Sequence, residues 1–152
     1  HPQHPETPLP TPHQLDHPPY IQQAGVRTPT DFHAANRNLP WLREIRPDPI
    51  VEIHPDTARK NGIEEGDWVT IASPRGQCRQ RAKLNTGIEP RVIVAEHGWW
   101  YPEIESPDHG WDISNINILM DNSHETMDQA TGATNLRVCL CSISKAEKPE
   151  QV

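Results

Sequence analysis

Short segments that favour β-strands, bounded by proline or glycine, dominate this sequence and constrain its fold. Residues 50–53 lie between two prolines, and residues 68–72 are joined to residues 77–85 by a turn at 73–76 that contains both proline and glycine. Proline interrupts regular structure because it lacks an N–H, and glycine adopts turn conformations readily. A chain of many short strands with such turns folds as a closed barrel or a sandwich. We therefore predict a mainly β domain whose loops gather at one end and carry its function.

One helix and four more strands complete the predicted secondary structure. The helix covers residues 54–62, with Pro55 at its first position and Asn61-Gly62 at its end, the residues that those positions favour. Long loops are expected at residues 25–49 and 103–115, and loops of such length are uncommon in compact domains unless they bind something. The additional strands are expected at residues 20–24, 92–95, 116–119 and 136–143, of which 92–95 reads as buried on both faces.

The strand at residues 77–85 alternates between an apolar and a basic face, as successive side chains of a strand point to opposite sides. The apolar face, which Gln80 interrupts, contains Cys78, Ala82 and Leu84, and the basic face contains Arg79, Arg81 and Lys83. We expect the basic face to be solvated. A docking stripe for an acidic partner is the alternative.

Composition divides the chain into three regions. The apolar fraction is 34%, the mean hydropathy is −0.78, and residues 1–19 hold seven prolines and four histidines but no lysine or arginine. Such a stretch is extended and cannot bury enough apolar area to offset its ordering entropy. We expect a flexible linker at 1–19, a barrel domain at 20–144 and a frayed charged tail at 145–152. A chain that begins inside a linker is expected to be part of a longer protein.

Charge and hydropathy exclude several classes of protein. The net charge of −7 argues against a general nucleic-acid binder. No apolar run is long enough for a transmembrane helix, so we expect no direct membrane insertion. No secretory signal is visible. Three cysteines are too few for a disulfide scaffold, and their number suits a reducing compartment.

Catalytic and metal-binding motifs are also missing. Cys78 is expected to be buried and inert, and Cys139 and Cys141 share one face of a strand without a second Cys/His pair that would complete a zinc site. The histidines of the N-terminal linker lack the rigid setting of a dedicated metal site. No nucleophile elbow, P-loop or Rossmann glycine pattern occurs, so a small standalone enzyme has no credible nucleophile or acid–base pair.

Loop residues, in contrast, carry the chemistry that a large anionic, heteroaromatic ligand requires. Arginine grips phosphate bidentately, glycine turns offer backbone N–H groups, asparagine pairs with a heterocycle edge, and tryptophan stacks on rings. Taken alone, each of these residues could equally be a solvated loop residue with no ligand. Trp99 and Trp100 could equally be core residues. The residues in question are Gly25, Arg27, His33, Asn36, Arg37, His97, Trp99, Trp100, Asn115, Asn117 and the segment 132–137.

Taken in order, these loops and the strands between them resemble a known family over about residues 18–144. The matching stretches are Tyr20-Ile-Gln-Gln-Ala-Gly-Val-Arg27, residues 32–37, 47–58, 61–76 and 87–95, His97-Gly-Trp-Trp100, Asn115-Ile-Asn-Ile-Leu119 and residues 131–137. They are similar to the C-terminal molybdopterin-dinucleotide-binding domain of the dimethyl-sulfoxide-reductase family of molybdenum and tungsten oxidoreductases. The motifs at residues 97–100 and 115–119 are similar to those of the branch that contains thiosulfate and polysulfide reductases and acetylene hydratase.

The resemblance implies a six-stranded double-psi β-barrel with one or two short helices that binds molybdopterin guanine dinucleotide. The metal ligand and iron–sulfur cysteines of the family lie in other domains, so the isolated chain is expected to orient the cofactor without turnover. The implied partners are an iron–sulfur electron-transfer subunit and those other domains. A non-catalytic double-psi barrel that serves as a protein-interaction module is the alternative function.

The resemblance also implies which residues contact the cofactor. Gly25 and Arg27 would lie at the phosphate or nucleoside end of the cofactor, with His33 and Arg37 beside them. His97 and Trp99 would line the pterin side, and Asn117 or Asn115 would hydrogen-bond a heterocycle. The residues that would close the site are Thr134, Asn135 and Arg137. Two stretches depart from the family pattern: Gln22-Gln23-Ala24 replaces apolar and threonine residues, and Met120-Asp121 replaces a threonine.

Overall fold

A computed structural model describes residues 20–24, 34–134, 138–150 and 152. The predicted linker at 1–19 and residues 25–33 of the predicted long loop lie outside the described residues. Among the described residues there are six strands, β1 (Tyr20–Ala24), β2 (Ile50–Ile53), β3 (Trp68–Ser73), β4 (Gly76–Leu84), β5 (Val92–Ala95) and β6 (Val138–Ala146). The helices are α1 (Pro40–Ile45), α2 (Pro55–Lys60) and α3 (Trp111–Ser114), followed by a 3-10 helix at Ile116–Leu119. The prediction of a mainly β fold with short helices is therefore confirmed.

The strands pair in the closed order β1-β5-β2-β4-β3-β6. The pairs β1·β5 and β2·β4 are parallel, and the other four are antiparallel. This pattern of neighbours and directions is unchanged when β1, β2 and β3 are exchanged for β4, β5 and β6. Closure gives every strand two neighbours, which removes the exposed edges of an open sheet.

The core fills the interior of the barrel because each strand presents alternate side chains inward. In β2, Val51 and Ile53 are fully buried, and in the adjacent β5 the buried positions are Ile93 and Ala95. The intervening residues of β5 are only half-buried, so this strand is buried on one face and not on both as predicted. It remains apolar throughout because its outer face is still partly covered.

The short helix α2 forms as its sequence predicts. His54 caps its N-terminus, with Nδ1 accepting a hydrogen bond from Asp56 N at 3.1 Å. At the other end Gly62 has a φ of +64°, and Ile63 N donates to Ala58 O at 2.9 Å, which closes a Schellman motif. The left-handed backbone at residue 62 is the reason that this position favours glycine.

Two predicted loops contain helices. Helix α1 occupies residues 40–45 of the predicted loop at 25–49, and α3 lies within the predicted loop at 103–115. Helix α1 has no buried residue and no side-chain cap at its N-terminus. Both helices are too short, at six and four residues, for apolar periodicity to identify them in the sequence.

Two predictions about strands are wrong. The segment 116–119, predicted as a strand, is a 3-10 helix because Asn115 Oδ1 accepts a hydrogen bond from Asn117 N at 3.1 Å and turns the chain. Strand β6 continues to Ala146, two residues beyond the predicted end of the domain, because Lys145 pairs with Val69 and its Nζ lies 2.8 Å from a carboxylate oxygen of Asp67. Pairing with β3 therefore orders the start of the predicted tail.

Candidate functional site

Two of the predicted site residues, Arg37 and Trp99, are in direct contact. The Arg37 guanidinium carbon lies 3.5 Å from the centroid of the Trp99 ring, and the two residues are 2% and 0% exposed. A cation over an aromatic face is attracted by the negative charge of the ring face. Arg43 of α1 approaches from farther away, 5.6 Å from Trp99 and 6.0 Å from Tyr101. The described end of the long loop therefore meets the segment that follows β5.

The neighbouring Trp100 forms a second contact between the same two segments. Its Nε1 donates a hydrogen bond of 2.7 Å to the carbonyl oxygen of Ala34, and its ring packs against His109 at 5.5 Å between centroids. Residues 34–37 are thus held at one end by a hydrogen bond and at the other by the stacked Arg37. The two tryptophans, which the sequence could equally assign to the core, serve to fix a loop.

The other predicted residues within the described part of the chain lie in three segments and differ in exposure. His97 and Thr134 are half-buried, as is Asn115, and Asn117 is exposed. Asn115 uses Oδ1 to cap the 3-10 helix, and its Nδ2 makes no hydrogen bond to the described residues. The predicted site residues Gly25, Arg27, His33, Asn135 and Arg137 lie outside the described residues.

A buried polar network connects the segment after β5 with the end of α3. Gln80 Nε2 donates to the carbonyl oxygens of Glu96 (2.8 Å) and Ser114 (3.0 Å), and Gln80 Oε1 accepts from Glu96 N (3.1 Å). The hydroxyls of Tyr101 and Ser114 lie 2.6 Å apart. Burial raises the pKa of Tyr101 to about 12, so this hydroxyl keeps its proton and can act as a donor. The network places the residues before His97 and Asn115 at a fixed spacing.

Glu96 places a buried carboxylate next to this network. It is 2% exposed, and its Oε2 accepts from Ile50 N at 2.8 Å while its Oε1 lies 2.9 Å from Arg46 Nη2. Buried charge is tolerated when it is paired and hydrogen-bonded in this way. Glu96 thereby ties the start of β2 to the end of β5.

Sequence reasoning missed most of this network. For Gln80 a signal exists, because a polar residue interrupts an otherwise apolar face of β4. Glu96 and Tyr101 give no such signal, since their burial depends on contacts with residues far away in sequence. Arg43 and Arg46 lie in a segment whose sequence predicts a loop.

The basic face of β4 is solvated and largely neutralised. Arg81 Nη1 lies 2.7 Å from Asp48 Oδ2, and Lys83 Nζ lies 3.1 Å from Glu52 Oε1. The pKa of Glu52 is lowered by the hydrogen bonds from Asn85 and Lys83, although burial opposes them. These ion pairs leave little uncompensated charge for an acidic partner.

The cysteines and the described residues as a whole offer no metal centre. Burial raises the pKa of Cys78 to about 12 and that of Cys139 to about 11, so both are uncharged thiols at neutral pH. Within the described part of the chain no three His, Cys, Asp or Glu side chains are grouped so that they could hold a metal ion. None of the described helices is both long and apolar enough to cross a bilayer.

Comparison with known proteins identifies relatives of the whole barrel. The family model described as Molydopterin dinucleotide binding domain matches residues 22–140. Dopamine dehydroxylase of Eggerthella lenta is 44% identical over 156 aligned positions, which cover 96% of this chain and 15% of that protein. The putative catalytic subunit of a dimethyl sulfoxide reductase of Halobacterium salinarum is 43% identical over 69 residues, which cover 45% of this chain and 8% of the relative.

A solved structure gives the same result. Acetylene hydratase from Pelobacter acetylenicus superposes with a TM-score of 0.80 at 26% sequence identity, covering 89% of this chain and 19% of that one. The chain therefore spans less than a fifth of the length of each of these three proteins.

Proposed function

Because this chain belongs to the molybdopterin dinucleotide-binding domains of the dimethyl-sulfoxide-reductase family, we propose that it holds its cofactor, molybdopterin guanine dinucleotide, with the loops that Arg37 and Trp99 bring together. These loops are residues 34–37, residues 96–101 and the turn at 115–117. The contact of Arg37 with Trp99 carries the proposal, since it joins two loops that the resemblance assigns to one ligand.

The described side chains fit such a ligand chemically. Guanidinium, imidazole and amide groups donate hydrogen bonds, which phosphates and heterocycle edges accept. Within the described residues, the buried Nε1–H of Trp99 finds no acceptor, and an unsatisfied buried donor costs free energy. An acceptor-rich dinucleotide beside these loops suits that set of donors.

Each residue has a separate role in this proposal. Arg37 binds a phosphate through its planar fork. Trp99 acts from behind Arg37 rather than by stacking on the pterin, because it is fully buried and Arg37 covers one of its faces. His97, Asn115 and Asn117 provide hydrogen bonds to a heterocycle.

Five predicted residues outside the described part, Gly25, Arg27, His33, Asn135 and Arg137, belong to the same proposed site, as does Thr134. When bound, the cofactor supplies redox chemistry at a metal whose protein ligand lies in another domain. The residues of this chain supply orientation.

We further propose that the barrel has the double-psi topology. The exchange of β1, β2 and β3 for β4, β5 and β6 preserves every pairing and direction, as expected for a fold built from two equivalent halves. Each parallel pair, β1·β5 and β2·β4, joins one strand of the first half to one strand of the second.

At the level of the complete enzyme, we propose that this barrel is one domain of a much longer oxidoreductase, whose partner is an iron–sulfur electron-transfer protein. The lengths of the relatives support this proposal. Alone, the chain is not expected to turn over a substrate.

Titration with guanosine diphosphate tests the site, because that probe shares the guanine and diphosphate of the cofactor. Amide chemical shifts should change in residues 34–37, 96–101 and 115–117, and Arg37→Gln should weaken binding about tenfold, the loss that a charge-assisted hydrogen bond predicts. Arg79→Gln, on the basic face of β4, is the matched control and should leave affinity unchanged.

The opposite pattern would refute the site. If millimolar guanosine diphosphate shifts no loop amide while an acidic protein partner shifts residues 79–83, the interaction-module alternative replaces cofactor binding as the role of these surfaces.

A further inference from the structure

Gln80 is a fully buried amide at a position where the alternation of β4 calls for an apolar side chain. Its neighbours on the same face, Cys78 and Ala82, are buried core residues. A buried amide is costly unless each polar atom has a partner, whereas an apolar residue would pack without that requirement. Its three hydrogen bonds use both donor hydrogens and the acceptor oxygen.

These hydrogen bonds connect two separate loops. With both the N–H and the C=O of Glu96, the Gln80 side chain pairs as a neighbouring strand would, one residue after β5 ends. Its second donor hydrogen bonds the carbonyl oxygen of Ser114, the last residue of α3. The next residues along the chain are His97 in one loop and Asn115 in the other.

Tyr101 forms a second connection between the same loops. Its hydroxyl lies 2.6 Å from that of Ser114, and its ring contacts Trp99 edge-on at 6.2 Å between centroids. The segment from residue 96 to residue 101 is therefore attached to Ser114 at both of its ends, through Gln80 at the first and directly at the last. Both attachments are buried, where hydrogen bonds are shielded from competing water.

We propose that Gln80, assisted by Tyr101, is a positioning residue that sets the spacing between the loop of His97 and the turn of Asn115 and Asn117. At that spacing the two loops can contact one heterocyclic ligand. The inference rests on the proposed function for its ligand, but the connection between the loops can be measured without one.

The test compares Gln80→Met with Val69→Ala in the full chain. Methionine keeps the length of the side chain and removes its hydrogen bonds. Val69 lies directly opposite Gln80 in the β3·β4 register and is fully buried, so its truncation loosens the same part of the core without touching either loop. Affinity for guanosine diphosphate is measured by calorimetry, and amide hydrogen exchange is measured for residues 96–101 and 115–119.

Both variants should lower stability, but only Gln80→Met should weaken guanosine diphosphate binding, by about tenfold, and raise exchange in both loops together. Equal effects of the two variants on affinity and on loop exchange would reduce Gln80 to an ordinary core residue and overturn the proposal.

If Gln80→Met does not fold, Tyr101→Phe removes one hydroxyl and keeps the ring. Faster exchange in both loops then supports the positioning role, and unchanged exchange in both contradicts it. If the unmodified chain does not bind guanosine diphosphate, the proposed function fails on its own, and loop exchange in Gln80→Met against Val69→Ala still decides whether Gln80 positions the loops.

Discussion

At the scale of single residues, the contact between Arg37 and Trp99 gives each residue a role that neither has alone. A buried guanidinium held 3.5 Å from a ring centroid has lost most of its rotamer freedom before any ligand arrives. Preorganisation of this kind lowers the entropy that binding must overcome. The tryptophan ring thus contributes to affinity through Arg37, without stacking on the ligand.

A double-mutant cycle on this pair tests that role. Arg37→Gln and Trp99→Leu should each lower the free energy of unfolding, and their effects should be non-additive by about 0.5–2 kcal/mol, the range for a cation over an aromatic ring. Urea denaturation of the two single variants and the double variant measures the coupling. Arg91→Gln, an exposed arginine that is bonded only to nearby Glu89, is the control and should change stability by less than about 0.5 kcal/mol. Simple additivity of the two substitutions would remove the support role from Trp99.

At the scale of elements, the sequence predicts those parts of the fold that local chemistry determines. Helix α2 follows from Pro55 at its start and Gly62 at its end, and the hairpin of β3 and β4 follows from its turn and its alternation. The 3-10 helix at Ile116–Leu119 reads as a strand in the sequence because one hydrogen bond, accepted by the Asn115 side chain, decides the direction of the chain. A segment of four residues with three apolar side chains fits both structures.

Less of the candidate site can be predicted from the sequence, because most of its contacts join segments that are far apart in the chain. The resemblance selects Arg37, His97 and Trp99 by type and order, but nothing in the sequence indicates that Arg37 lies on Trp99. Gln80 is visible only as an irregularity in β4. Contacts between distant segments depend on barrel closure, which is a property of all six strands together.

Gly76 offers a prediction at this scale, because the first residue of β4 packs against the 3-10 helix that carries Asn117. A Cβ at position 76 would lie 2.5 Å from Ile118 Cγ2 and 3.2 Å from Ile118 O. Since Cγ2 is attached directly to Cβ of a β-branched residue, it cannot move far without the backbone. Gly76→Ala should therefore displace the 3-10 helix and cost about 1–3 kcal/mol of unfolding free energy.

Thermal and urea denaturation measure the effect of Gly76→Ala, and Ile118→Ala provides the control. The double variant should recover part of the lost stability, because truncation of Ile118 removes the clashing methyl group. A double variant whose loss equals the sum of the two single losses would contradict the packing described here.

At the scale of the whole molecule, α1 exposes apolar side chains that the barrel alone does not cover. On α1, which has no buried residue, Trp41 and Ile45 are 61% and 71% exposed and lie four residues apart, on one face of the helix. A helix that buries nothing gains little from the barrel itself. Because this chain spans less than a fifth of the length of these relatives, we expect the occupant of this face to be another domain of the proposed longer oxidoreductase.

The double variant Trp41→Ser with Ile45→Ser tests this expectation in two settings. In the isolated chain, its unfolding free energy should change by less than about 0.5 kcal/mol, because neither side chain is buried there. In the complete oxidoreductase, the same variant should lower thermal stability and increase amide exchange in residues 40–45, because an interdomain contact is lost. Lys60→Ser, on the exposed side of α2, is the matched control and should have neither effect. Equal exchange at α1 in the complete enzyme with and without the double substitution would mean that no domain covers this face, and the exposed tryptophan would then be an ordinary surface residue.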